Sequence, residues 1–87
     1  MNNVSDLMSR GLLTSGESLI WYRPATSVTY MAVIRADGRI VTADGVVHRT
    51  PSGAAKHYSR KPIDGWNCWK IAKTGQKLSE LRSIANQ

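Results

Sequence analysis

Hydrophobic and polar positions along these 87 residues change period several times, and each change marks an element. Near the N-terminus Val4, Leu7 and Met8 recur at helical spacing, so a short helix is expected to about Arg10. Ser5 or Asp6 can cap it and Gly11 can stop it. Leu12-Leu13 then leads into a turn at Ser15-Gly16. Glu17 to Tyr22 holds Leu19, Ile20, Trp21 and Tyr22, a beta-prone run closed by Arg23-Pro24, and reads as a strand. Val28–Ala36 and Arg39–Ala43 flank Asp37-Gly38, residues that tolerate the positive backbone angles of a type I′ hairpin turn. A second pair, Asp44-Gly45, leads into Val46-Val47-His48-Arg49, so the middle of the chain reads as a three-stranded antiparallel meander.

Pro51 to about Tyr58 reads as a helix opened by Thr50, whose hydroxyl can accept from free backbone N–H groups, with Pro51 in the first helical position. Gly53 weakens its first turn by up to about 1 kcal/mol relative to Ala and permits a close backbone approach. Lys61-Pro62 ends it, Asp64-Gly65 turns, and Trp66–Ala72 is expected as an aromatic strand before Thr74-Gly75. Lys77–Ala85 closes the chain as a helix with Leu78, Leu81 and Ile84 on one stripe. The predicted fold is α+β. It is a small antiparallel sheet, the meander plus a Trp-containing strand, packed with two to three short helices in a single domain over residues 1–87. A chain this short buries a modest core, enough for one layer of helices on one sheet.

Composition adds a direction. Twelve Lys and Arg stand against six Asp and Glu, a net charge of +6, which suits a polyanionic partner. The distribution says more than the total. Arg49, Lys56, Arg60 and Lys61 gather around the Thr50 helix start, and no carboxylate falls between position 45 and Asp64. Cys68 is the sole cysteine, which excludes an internal disulfide and leaves too few sulfur ligands for a structural zinc site. No basic-then-apolar leader opens the sequence and no apolar run could cross a bilayer, so a cytoplasmic, DNA-associated location is expected.

Catalytic readings find little support. Ser52, His57 and Asp64 supply the residue types of a triad, but no nucleophile-elbow motif frames them. His48, His57 and Cys68 lack a metal-ligand spacing, and no Gly-rich phosphate loop is present. The expectation is a non-enzyme with no cofactor and no metal. Trp66 and Trp69 are the more telling pair. On an extended segment residues three apart face opposite sides, so one indole would fill the core while the other lies nearer the surface. An exposed indole beside cations can meet bases while the cations hold phosphates. The free N–H groups at the Thr50 helix start also favour a phosphate oxygen.

Several short motifs occur in one order across about eighty residues. They are Leu7 with Gly11-Leu12-Leu13, Gly16, Ala32 with Asp37-Gly38-Arg39-Ile40, Asp44-Gly45, Thr50-Pro51-Ser52 with Ala54-Ala55, Gly65-Trp66 with Trp69, and Leu78 with Leu81-Arg82. In this order they resemble the RAMA domain, the restriction-enzyme and adenine-methylase-associated module. The resemblance implies a small α+β domain that binds double-stranded DNA and senses or tolerates N6-methyladenine. Such modules are often fused to adenine methyltransferases or nucleases. With Met1 as a native start, the chain would be a stand-alone version acting in trans with a restriction, modification or phage-defence partner; as an excised domain it would leave the enzyme elsewhere. The resemblance further implies DNA contact by the hydroxyl at Thr50 and by Trp66, with Ser52 and Lys56 next. This sequence departs from the family where Thr50 replaces a frequent Ser and Gly53 a frequent Ala. A different class of function, a protein-interaction module docking on a restriction or modification enzyme through strand edges and aromatics, fits the same composition.

Overall fold

The computed structural model describes residues 3–86. Its elements are α1 (Val4–Ser9), β1 (Ser18–Arg23), β2 (Val28–Ile34), β3 (Ile40–Thr42), β4 (Val47–His48), α2 (Pro51–Ser59), α3 (Gly65–Cys68), β5 (Lys70–Ile71) and α4 (Leu78–Ala85). The five strands form one antiparallel sheet in the order β4-β3-β2-β1-β5. The meander is therefore as the pattern predicted, and the sheet grows by two strands, β1 and β5, on the β2 side.

Alternation sets the two faces of the sheet. Leu19, Trp21, Ala32, Ile34, Ile40 and Ile71 point inward and are buried, with the pairs Leu19↔Ala32, Ile34↔Ile40 and Leu19↔Ile71 facing across the ladder and Trp21 opposite Tyr30. The helices cover this face. Leu7 of α1, Ala54 and Ala55 of α2, Trp66 of α3, and Leu78 and Leu81 of α4 complete a single core around the fully buried Trp69. Burying a leucine in such a core is worth about 1.5–3 kcal/mol, so Leu7, Leu13, Leu19 and Leu78 are among its main supports. Among the described residues no helix is long and apolar enough to cross a membrane.

Both Asp-Gly pairs do form hairpins, but not of type I′. Only the glycines have positive φ, +84° at Gly38 and +85° at Gly45. In each turn the glycine N–H donates to a carbonyl three residues back, Arg35 or Thr42, and that residue's own N–H donates to the carbonyl of Arg39 or Val46. This is the pattern of a type I turn closed by a left-handed glycine, in which Asp keeps an ordinary φ. Gly38 is also where α1 meets the sheet: a Cβ there would strike the Ser5 hydroxyl.

Three further expectations need correction. Asn3, not Ser5 or Asp6, caps α1, and Asp6 completes a reciprocal capping box with it. The expected strand over Trp66–Ala72 is instead a one-turn helix, α3, followed by the two-residue β5. Asp64 is the cause, because its side chain accepts from the N–H of Trp66 at 3.0 Å and from the amide of Asn67 at 2.6 Å, which nucleates a turn before the aromatic run can extend. In α4 the buried stripe is Leu78, Leu81 and Ala85, and Ile84 is 45% exposed.

Candidate nucleic-acid interface

The N-terminus of α2 is built from three consecutive residues with three different bonds. Thr50 is extended (φ −138°, ψ 157°), and its hydroxyl oxygen accepts from the N–H of Gly53 at 3.0 Å, as a helix cap does. The carbonyl of Pro51 accepts from the indole N–H of the buried Trp69 at 3.1 Å. The hydroxyl of Ser52 accepts from the N–H of Gly65 at 3.1 Å. Gly65 presses directly on the Pro51 carbonyl, so that a Cβ at this position would overlap backbone atoms of Pro51 and Ser52. The two halves of the motif, thirteen residues apart, are thus one bonded unit.

Both tryptophans of α3 and its cap are buried, Trp66 at 7% exposure and Trp69 at 0%, so the split into one core and one surface indole is not observed. A helical turn, unlike a strand, brings both rings toward the inside. The face of Trp66 carries the Arg82 guanidinium of α4, 3.6 Å from the ring centroid, a cation–π contact in which the arginine is half-buried. Trp69 meets Trp21 edge-on at 5.8 Å, Trp21 meets Tyr30 at 5.4 Å, and Tyr30 stacks on Tyr58 of α2 at 4.1 Å. This aromatic series ties α2 to the sheet from its far end.

The predicted cations run the length of α2. Arg49 precedes the cap, Lys56 projects from the second turn, and Arg60 and Lys61 follow the last; all four are exposed. A nine-residue helix is about 13 Å long, so the charges are spread along α2 and not focused at one end. Among the described residues Arg35 and Arg39 pair with Asp37, and His57 bonds to Asp44; none of the four cations takes part. Arg60 is the C-cap and sits in the left-handed region at φ 61° and ψ 19°, where glycine is the usual occupant.

One cluster was not legible beforehand. The hydroxyl of the buried Thr42 lies 2.5 Å from a carboxylate oxygen of Asp44 and 3.2 Å from Nε2 of His48, and the other oxygen of Asp44 lies 2.5 Å from Nε2 of His57. With one proton to give, Thr42 donates to the carboxylate and accepts from His48. The bonds from Thr42 and then His57 lower the Asp44 carboxyl to about 2. Burial, and then the neighbouring His57, lowers the His48 imidazole below its ordinary value. The network pins α2 to the β3–β4 turn through the second Asp-Gly pair.

The residue types of a catalytic triad are bonded elsewhere. Ser52 holds Gly65, His57 holds Asp44, and Asp64 caps α3. Cys68 is half-buried, and that burial raises its thiol. Among the described residues no group of three or more His, Cys, Asp or Glu side chains is placed to hold a metal ion.

These features define a small α+β module whose helical side presents a braced helix start and a row of unpaired cations. The sequence model of the family described as Restriction Enzyme Adenine Methylase Associated, RAMA, matches residues 2–87, essentially the whole chain, and the protein belongs to that family. The family name ties it to restriction and modification enzymes as an associated domain rather than a catalytic one. No curated protein matches the sequence.

Proposed function

We propose that this protein is a non-catalytic module that binds double-stranded DNA in restriction and modification systems, through the surface of α2. The observation that carries the reading is the set of four exposed cations, Arg49, Lys56, Arg60 and Lys61, that enter no ion pair among the described residues and share one short segment without a carboxylate. These four contact phosphates. Thr50, exposed at the helix cap, has an O–H to donate to a phosphate oxygen while its lone pair holds Gly53. Ser52 acts one step back, by fixing Gly65 against α2. Trp66 meets the nucleic acid by its edge and holds Arg82 over its face, since stacking a base on that face requires Arg82 to leave.

The family's association with adenine methylases supports N6-methyladenine as the modification for this surface to discriminate. Fluorescence anisotropy with matched unmethylated, hemimethylated and fully adenine-methylated duplexes, at two salt concentrations, tests both levels. Steep weakening with salt supports phosphate contact, because each neutralised phosphate releases condensed counterions. A flat salt response removes the cation surface. Equal affinity for the three duplexes removes methyl discrimination and leaves DNA binding standing.

A further inference from the structure

The helices cover one face of the sheet and leave the other open. On the open face Ile20, Tyr22, Met31, Val33, Val41 and Val47 form adjoining rows in the register Ile20↔Met31, Val33↔Val41 and Val41↔Val47. Tyr22 is 55% and Met31 53% exposed, so this is a contiguous apolar surface and not scattered side chains. Two hollows mark it. One, about 390 Å³, is lined by Met31, Val33, Val41 and Ala43; the other, about 380 Å³, lies at the β5 edge, where Ile20, Tyr22, Pro24, Lys70 and Lys77 line it together with Asn67 and Cys68 of α3.

We propose that the open sheet face docks an acidic amphipathic helix of a partner protein, with apolar side chains in the two hollows and carboxylates on Lys70 and Lys77. Charge supports the acidic character. The five strands contain no Asp or Glu, and Lys70 lies beside Ile20 in the register. Dimensions support a helix. The central strands β1 and β2 have six and seven residues, so the face is about 20 Å long, and three strands give it a width of about 10–15 Å. A helix about 10–12 Å across with about 13 residues has the same footprint. Strand addition is less suited, because the edge strands β4 and β5 are two residues long.

A second copy fits poorly, because it would bring two chains of charge +6 together. DNA is the wrong occupant, since the aliphatic floor offers phosphates one strand lysine, Lys70.

The test is a display selection on the whole protein. The library is 14-residue amphipathic helices with a fixed Leu and Ile face and flanks randomised over Glu, Lys, Gln and Ser. Enrichment of Glu in the flanks is expected. The selected peptides should lose at least tenfold in affinity for the neutral double variant Met31→Gln with Val33→Thr, and at least fivefold for Lys70→Gln with Lys77→Gln. Circular dichroism should show both variants folded, and the Met31 and Val33 variant should bind duplex DNA within twofold of the unaltered protein. Four results would each overturn the proposal: no enrichment, flanks rich in Lys, a selected peptide indifferent to Met31 and Val33, or a dimer in sedimentation that the Met31 and Val33 variant dissolves. Loss of DNA affinity in that variant would also overturn it, by giving the face to the nucleic acid.

Discussion

The N–H of Gly65 donates to the hydroxyl of Ser52 at 3.1 Å, and this bond places the start of α3 on the first turn of α2 so closely that no side chain fits between them. A Cβ at Gly65 would overlap the Pro51 carbonyl and the Ser52 nitrogen, both backbone atoms that cannot swing aside. Gly65→Ala is therefore expected to destabilise the fold by about 2–4 kcal/mol, in the range of severe overpacking. Gly53→Ala is the control. Its nearest atom is the Thr50 hydroxyl oxygen at 3.2 Å, so a helix gain of up to about 1 kcal/mol is offset by slight pressure on the cap, and the net change should stay within about 1 kcal/mol. Urea denaturation of the two variants measures both.

Arg60 points to a conflict between stability and binding. A non-glycine residue at φ 61° is held in a conformation that glycine adopts without cost. Arg60→Gly should stabilise the protein by about 0.5–1 kcal/mol in thermal or urea unfolding. The same change should weaken duplex binding and lower the magnitude of the salt slope by about 0.9, the share of one phosphate. A variant that is more stable but binds as before would take Arg60 out of the proposed surface.

Lys56→Ala and Lys61→Ala should each lower that slope by a similar amount, about 0.9, with little change in melting temperature, because both side chains are exposed. Thr50→Ala differs in kind. It removes the cap bond to Gly53 and should cost about 1 kcal/mol of stability in addition to any effect on affinity. Anisotropy at several salt concentrations separates the two classes.

Acid should loosen the Asp44 network in a defined window. A carboxyl lowered from 3.8 to about 2 makes a contribution to stability that is fully present above its unfolded value and is lost as pH falls from about 4 toward 2. The His48 imidazole, lowered mainly by burial, acts in the next window up: the unfolded chain binds its proton first, so stability declines as pH falls through about 6.5. Melting temperatures between pH 2 and 8 should show both steps. Asp44→Asn should flatten the lower one, and His48→Gln the upper.

Local chemistry carried most of the fold into the sequence. Asp37-Gly38 and Asp44-Gly45 announce two hairpins because only glycine takes the left-handed corner cheaply, and Thr50-Pro51 announces α2 because a hydroxyl followed by proline suits a helix start. The Asn3 and Asp6 pair was also readable as a capping box, but two candidate caps nearer the apolar residues competed with it. For α3 two local signals disagreed. The aromatic run favoured a strand, and the Asp64 cap, which won, governs only one turn. What sequence could not show is which distant residues meet. The Ser52–Gly65 bond, the Trp69–Pro51 bond, the Arg82–Trp66 stack and the Thr42–Asp44–His57 network all join positions whose proximity exists only once the helices lie on the sheet.

The bond from the Trp69 indole to the Pro51 carbonyl gives the protein an internal gauge. The indole proton is sealed in the core, while its acceptor is the first residue of the helix whose outer side carries the cations. Any tilt or tightening of α2 must stretch or shorten that one bond. The chemical shift and solvent exchange of a single buried proton therefore register events at the outer surface of α2, with no label attached there to disturb them.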